Sequence, residues 1–99
     1  MARILVVEDD EEMRSLLKDF LLEEGYEAVL AGNGSEALRK LAQQPFDLVL
    51  SDIRMPGPTG LDILPAVKRL QPEVAIIVIT AFGSEEVRRQ SLQKGATAY

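Results

Sequence analysis

The sequence predicts an α/β domain built on a parallel sheet, and three observations carry that prediction. Four short apolar runs punctuate the chain: Ile4-Leu5-Val6-Val7, Ala28-Val29-Leu30-Ala31, Leu48-Val49-Leu50 and Ala75-Ile76-Ile77-Val78-Ile79-Thr80. Their hydrophobicity is continuous rather than alternating, which marks strands covered on both faces. The segments between them carry apolar residues at helical spacing, and repeated strand, helix, strand units with right-handed crossovers place successive helices on the faces of one sheet. The alternation admits a Rossmann-like or a flavodoxin-like strand order. In either, ligands gather outside the carboxyl ends of the strands, where the strand order reverses.

Each helix can be justified in turn. Met13, Leu16, Leu17, Phe20 and Leu21 fall at i, i+3, i+4, i+7 and i+8, a single apolar stripe read as core, and Gly25 stops the helix. The second helix is expected over about 35–43, burying Ala37, Leu38, Leu41 and Ala42, with Pro45 barring continuation. Leu61, Leu64, Val67 and Leu70 give a third, ended by Pro72, with Pro65 removing at most one early backbone bond. A fourth is framed by Ser84 as N-cap, Glu85 and Glu86 at the positive end of the dipole, and Lys94-Gly95 at its close. Only Val87 and Leu92 are large and apolar between them, so this helix is expected to be the least anchored. A fifth strand is expected to begin within 96–99.

Composition narrows the chemistry. Ninety-nine residues with 46% hydrophobic and 27% charged content suit one small folded domain rather than a disordered chain. There is no histidine and no cysteine, which removes the imidazole base, the thiolate nucleophile, zinc and iron–sulfur frameworks and disulfides. A formal charge of −5 repels a phosphate backbone, so no nucleic-acid binding by this segment is expected. No apolar run approaches membrane-spanning length, and the cytoplasm is the expected location.

The residues following the strands then carry the argument. Glu8, Asp9, Asp10, Glu11 and Glu12 follow the first, Asp52 the third, and Thr80 ends the fourth. Each has a plain structural reading: a solvated helix start, a strand-ending turn residue and a β-branched strand terminus. Together they say more, because carboxylates converging on one edge repel each other unless a cation sits among them or one stays protonated, and a hard divalent ion answers this best. Oxygen donors without histidine or cysteine select a hard divalent ion, Mg2+. A carboxylate beside such an ion, with a hydroxyl across the site, is equipped to accept a phosphoryl group as an acyl phosphate.

At these residues the sequence resembles the response-regulator receiver domain of two-component signalling. Residues 4–9, the stretch Asp52-Ile53-Arg54-Met55-Pro56 continuing to Gly60, Thr80-Ala81 and Lys94-Gly95-Ala96 to Tyr99 match in order and spacing, over essentially the whole chain. The wording Ile53-Arg54-Met55-Pro56-Gly57 and Thr80-Ala81-Phe82-Gly83-Ser84 looks more like receivers of the nitrogen-regulation type than stand-alone chemotaxis ones. The resemblance implies a flavodoxin-like fold of strand order 2-1-3-4-5, an order for which a chemotaxis receiver is a standing example. It implies Asp52 as phosphoacceptor, with Mg2+ held by Asp9, Asp52 and the Arg54 backbone carbonyl, and by Glu8 through water. Thr80 would hydrogen-bond a phosphoryl oxygen, and Tyr99 would be the aromatic switch. By the same resemblance, Arg54 and Phe82 would occupy positions that tune acyl-phosphate lifetime in this family. The partners implied are a sensor histidine kinase, which supplies the histidine this chain lacks, and an output domain or effector, regulating transcription through a surface around 84–99.

A receiver continues beyond Tyr99 to a lysine that contacts the phosphoryl group, completes strand five and adds a fifth helix. The expectation is therefore one receiver domain over 1–99, truncated in strand five with helix five absent, its fourth strand a nearly bare apolar edge inviting self-association. The chain is expected to be a self-phosphorylating and self-dephosphorylating phosphoacceptor rather than a multiple-turnover enzyme. The competing reading is a pseudo-receiver, a protein-interaction module without phosphorylation. A phosphohydrolase is disfavoured because Asp52-Ile53-Arg54 lacks a second Asp two residues on as acid/base. A dinucleotide binder is disfavoured because carboxylates, not a Gly-rich loop, follow strand one.

Overall fold

The computed structural model describes residues 2–52 and 60–79. Within them the chain forms β1 (Arg3–Val7), α1 (Glu11–Glu23), β2 (Glu27–Ala31), α2 (Gly34–Gln43), β3 (Leu48–Asp52), α3 (Gly60–Leu70) and β4 (Ala75–Ile79). The strands pair in parallel in the order β2-β1-β3-β4. Of the two orders the sequence admits, this is the flavodoxin-like one. Val7 stands opposite Ala31 on one side and Ser51 on the other, and Asp52 stands opposite Ile79. The expected fourth helix and fifth strand lie outside the described residues.

Two unequal layers of side chains hold the sheet. Leu5, Val7, Ala31, Val49, Ile76 and Val78 project toward Ala37 and Leu41 of α2 and Leu64 and Val67 of α3, with Phe46 and Val74 closing the ends of this buried cluster. Each large aliphatic side chain so buried contributes about 1.5–3 kcal/mol. On the opposite face Ile4 and Val6 are buried under Leu21, with Leu17, Ala28, Leu30, Leu48 and Leu50 only partly covered. Alternate residues of β4 show the same asymmetry, Ile76 and Val78 being buried while Ala75 and Ile77 are half-buried. The continuous apolar runs are thus covered fully on one face and partially on the other. β2, at the sheet edge, is half-buried over Ala28, Val29 and Leu30.

Several expectations need correction. The stripe on α1 is not all core: Leu21 is buried and Leu17 half-buried, but Met13, Leu16 and Phe20 are 43%, 63% and 54% exposed. At 100° per residue the stripe spans about 140° of the helix, and only its Leu17–Leu21 side meets the sheet. Ala42 is exposed because it lies about 140° around α2 from Ala37. Leu70 is exposed at the last turn of α3. Arg3 joins β1, α2 starts at Gly34, and Asp52 is the last residue of β3 rather than the first beyond it.

The helix ends follow local chemistry. Gly25, at φ 89°, closes α1: its N–H donates to the Leu22 carbonyl and the Tyr26 N–H to the Leu21 carbonyl, a left-handed cap that glycine adopts without strain. Asn33 caps α2, accepting the Glu36 N–H at 2.8 Å. α3 runs through Pro65, whose missing N–H leaves one carbonyl near the helix start without its usual donor. Beyond α3, the Gln71 amide ties three elements together. Its Nε2 donates to the carbonyls of Leu41 at 2.8 Å and Gln44 at 2.7 Å, and its Oε1 accepts the Phe46 N–H at 2.8 Å. Gln71 therefore satisfies the end of α2 and the entry to β3 from another part of the chain.

Replacing Gln71 by Leu strands two carbonyls and one N–H in a half-buried setting, which should cost about 2–3 kcal/mol. Urea unfolding of Gln71→Leu should show a lowered midpoint at unchanged slope, and Gln71→Glu, which retains only the acceptor, should not recover it.

Candidate functional site

The parallel register brings the carboxyl ends of β1 and β3 to one sheet edge, with β2 beyond one and β4 beyond the other. β1 is followed by a connection to β2 and β3 by a connection to β4, so the chain departs in opposite directions and leaves a crevice between them. Glu8 follows Val7 at this crevice, and Asp52 follows Ser51.

The loop after β1 is held by its own backbone. The Glu8 N–H donates to the Ala31 carbonyl at 3.0 Å, extending the β1–β2 pairing by one bond. The Glu8 carboxylate is 2% exposed and accepts the Asp10 N–H at 3.1 Å. A carboxylate is costly to bury without such donors. Asp10 caps α1, its carboxylate accepting the Met13 N–H at 2.8 Å and its carbonyl the Arg14 N–H at 2.9 Å. Glu11 and Glu12 occupy the first turn of α1, where negative charge complements the helix dipole. Asp9 differs from its neighbours: it is exposed, and among the described residues its carboxylate has no hydrogen bond or ion pair.

The acidic run therefore divides into a buried carboxylate, a helix cap, a helix start and one exposed carboxylate uncommitted among the described residues. No group of three or more acidic side chains converges to hold a metal among the described residues. Glu8 and Asp9 follow β1 on one loop, beside the end of the strand that carries Asp52. The side chain of Asp52, and Arg54, Thr80, Phe82 and Tyr99, lie outside the described residues.

One participant escaped the reading of the sequence. Arg14 Nη1 donates to the Glu8 carbonyl at 3.0 Å, reaching back from α1 to the end of β1. The signal was a cation two residues beyond the acidic run, 60° around α1 from Leu17, on the side that meets the sheet. Its counterpart is Gly32, directly after β2, where a Cβ would stand 3.0 Å from the same nitrogen.

The response regulator receiver domain family matches residues 4–99. The chain belongs to that family. Among its relatives is the transcriptional regulatory protein ZraR of Klebsiella oxytoca, 38% identical over 96 residues that cover 97% of this chain and 22% of ZraR. The receiver thus spans about a fifth of that relative. The response regulator TrrA of Thermotoga maritima, solved in complex with Mg2+ and BeF, is 42% identical with a TM-score of 0.90, covering 100% of this chain and 84% of TrrA. A Burkholderia pseudomallei response regulator, solved with a phosphorylated aspartic acid, a calcium ion and citrate, is 28% identical with a TM-score of 0.95, covering 100% of this chain and 58% of that one. No described helix of the receiver is long and apolar enough to cross a membrane.

The cap on α1 can be tested directly. Asp10→Ala should lower stability by about 1 kcal/mol in urea unfolding, and Asp10→Asn should retain most of it, since the amide oxygen also accepts the Met13 N–H.

Proposed function

We propose that this receiver takes a phosphoryl group from a sensor histidine kinase onto Asp52 and relays that state to an output domain or effector. The observation that supports this best is the register that brings Glu8 and Asp9, at the end of β1, beside Asp52, the last residue of β3. In the transfer, an Asp52 carboxylate oxygen forms its bond to phosphorus as the phosphorus–nitrogen bond of the donor phosphohistidine breaks and the imidazole departs. Water later attacks the acyl phosphate, returning the carboxylate and releasing inorganic phosphate. The receiver is in this sense a switch that loads and unloads itself, not a multiple-turnover enzyme.

The donor set fits a hard divalent cation: it is all oxygen, and Asp9 is exposed and uncommitted among the described residues. Asp9, Asp52 and the Arg54 carbonyl would hold Mg2+, with Glu8 acting through water. When bound, Mg2+ neutralises phosphoryl oxygens as charge shifts in the transfer. Glu8, buried and hydrogen-bonded to Asp10, keeps the loop in place. Thr80 donates its hydroxyl to a phosphoryl oxygen, and Tyr99 follows Thr80 to remodel the surface around 84–99.

The wording at residues 53–57 and 80–84 supports the nitrogen-regulation type, and the name of ZraR supports a transcriptional output carried by other parts of a longer protein. A cytoplasmic location goes with such a role. The exposed Leu16 and Phe20 support self-association.

Incubation with acetyl phosphate and Mg2+ should add one phosphoryl group to the chain by mass spectrometry, lost in Asp52→Asn; label persisting in that variant overturns the assignment. Arg54 can pair with phosphate and Phe82 can hinder attacking water. Arg54→Ala and Phe82→Ala should therefore speed decay of the acyl phosphate, and unchanged decay in both removes them as lifetime-setting residues.

A further inference from the structure

Arg14 has no part in the chemistry above, yet its guanidinium occupies the junction on which the acidic loop rests. Nη1 donates to the Glu8 carbonyl at 3.0 Å, and the same nitrogen would lie 3.0 Å from a Cβ on Gly32, with Glu36 Oε2 3.9 Å from that Cβ. The guanidinium is thus laid over the bare backbone of Gly32, between the connection leaving β1 and the connection leaving β2. Gly32 does not have a positive φ, so its backbone does not require glycine; a Cβ there would instead press on Arg14 Nη1, which would have to give by a few tenths of an ångström.

The geometry points to Arg14 as a positioning residue for Asp9, an inference that takes the identity of the cation from the reading above. The Glu8 carbonyl and the Asp9 N–H belong to one rigid peptide plane. Fixing that carbonyl fixes the plane, and with it the Cα from which the Asp9 carboxylate extends. The other backbone anchors of the loop are in place on either side: the Glu8 N–H on Ala31, the Asp10 N–H on the Glu8 carboxylate and the Asp10 carbonyl on the Arg14 N–H. Without the guanidinium the plane between Glu8 and Asp9 loses that bond while the anchors of β1 and α1 stay in place. A ligand that must be ordered on binding binds more weakly.

A charge effect and a positioning effect have opposite signs here. If Arg14 acted only as a cation near the acidic loop, removing it would lessen repulsion and tighten Mg2+ binding. If it acts by positioning, removing it weakens Mg2+ binding. Gly32→Ala separates the two further, because it keeps the charge and crowds the guanidinium with a methyl group.

The test is a Mg2+ titration of the isotope-labelled chain without phosphodonor, followed by the amide shifts of Asp9 and Asp10. Arg14→Ala should raise the half-saturating Mg2+ concentration about 10-fold, at the lower end of what losing a group that orients a metal ligand costs. Gly32→Ala should raise it by less, and Arg14→Lys, which can still donate one bond, should recover part of the loss. A half-saturation in Arg14→Ala that is unchanged or lowered overturns the inference. The phosphoacceptor reading fails separately: a wild-type chain that binds Mg2+ but is not labelled by acetyl phosphate defeats that reading and leaves the titration decisive for Arg14. A wild-type chain that does not bind Mg2+ overturns both.

Discussion

Everything functional in this receiver depends on the parallel pairing of β1 between β2 and β3. Because Val7 stands opposite both Ala31 and Ser51, the residues that follow these strands leave the sheet side by side. A register slip of one residue would turn Leu5 and Val7 out of the buried cluster and carry Glu8 to the opposite face. The packing that fixes the register therefore also fixes where the carboxylates are presented. The sheet also has unequal cover: α2 and α3 seal one face, while α1 gives the other partial cover among the described residues.

Around that frame, backbone polar groups are satisfied by side chains from other elements. Gln71 completes the end of α2 and the entry to β3, and Arg14 completes the end of β1. In both cases one side chain answers backbone groups at the end of an element. A backbone group left without a partner in a partly buried place costs more than an average hydrogen bond gives, so these side chains matter out of proportion to their size. The acidic loop carries the principle into the site: Glu8 and Asp10 are committed to holding the loop, and Asp9 is left uncommitted.

The fold was readable because hydrophobic period is a local property. The four apolar runs became strands, Gly25 closed α1 with a positive φ, and Pro45 and Pro72 lie beyond the helices they were expected to end. Less readable was how much of each apolar stripe finds a partner. Met13, Leu16 and Phe20 share a helix face with Leu21 by spacing, but a stripe wider than its contact with the sheet leaves one side exposed. Ala42 was misplaced for the same reason, since sequence spacing gives an angle around the helix and not the direction from which the sheet approaches.

By itself the sequence determined the class of chemistry: oxygen ligands without imidazole or thiolate, an acidic run after one buried strand and an aspartate after another. It also determined the element order, because strand and helix periods are set by neighbours along the chain. Tertiary structure decided the strand order, choosing β2-β1-β3-β4 from the two the alternation admits, and it decided which acidic residues hold the loop and which is presented. It alone placed Arg14 over Gly32, a contact between residues 18 positions apart that exists only once β1 and β2 are paired. Spacing along a chain encodes the faces of single elements, whereas the meeting of two loops depends on how those elements pack.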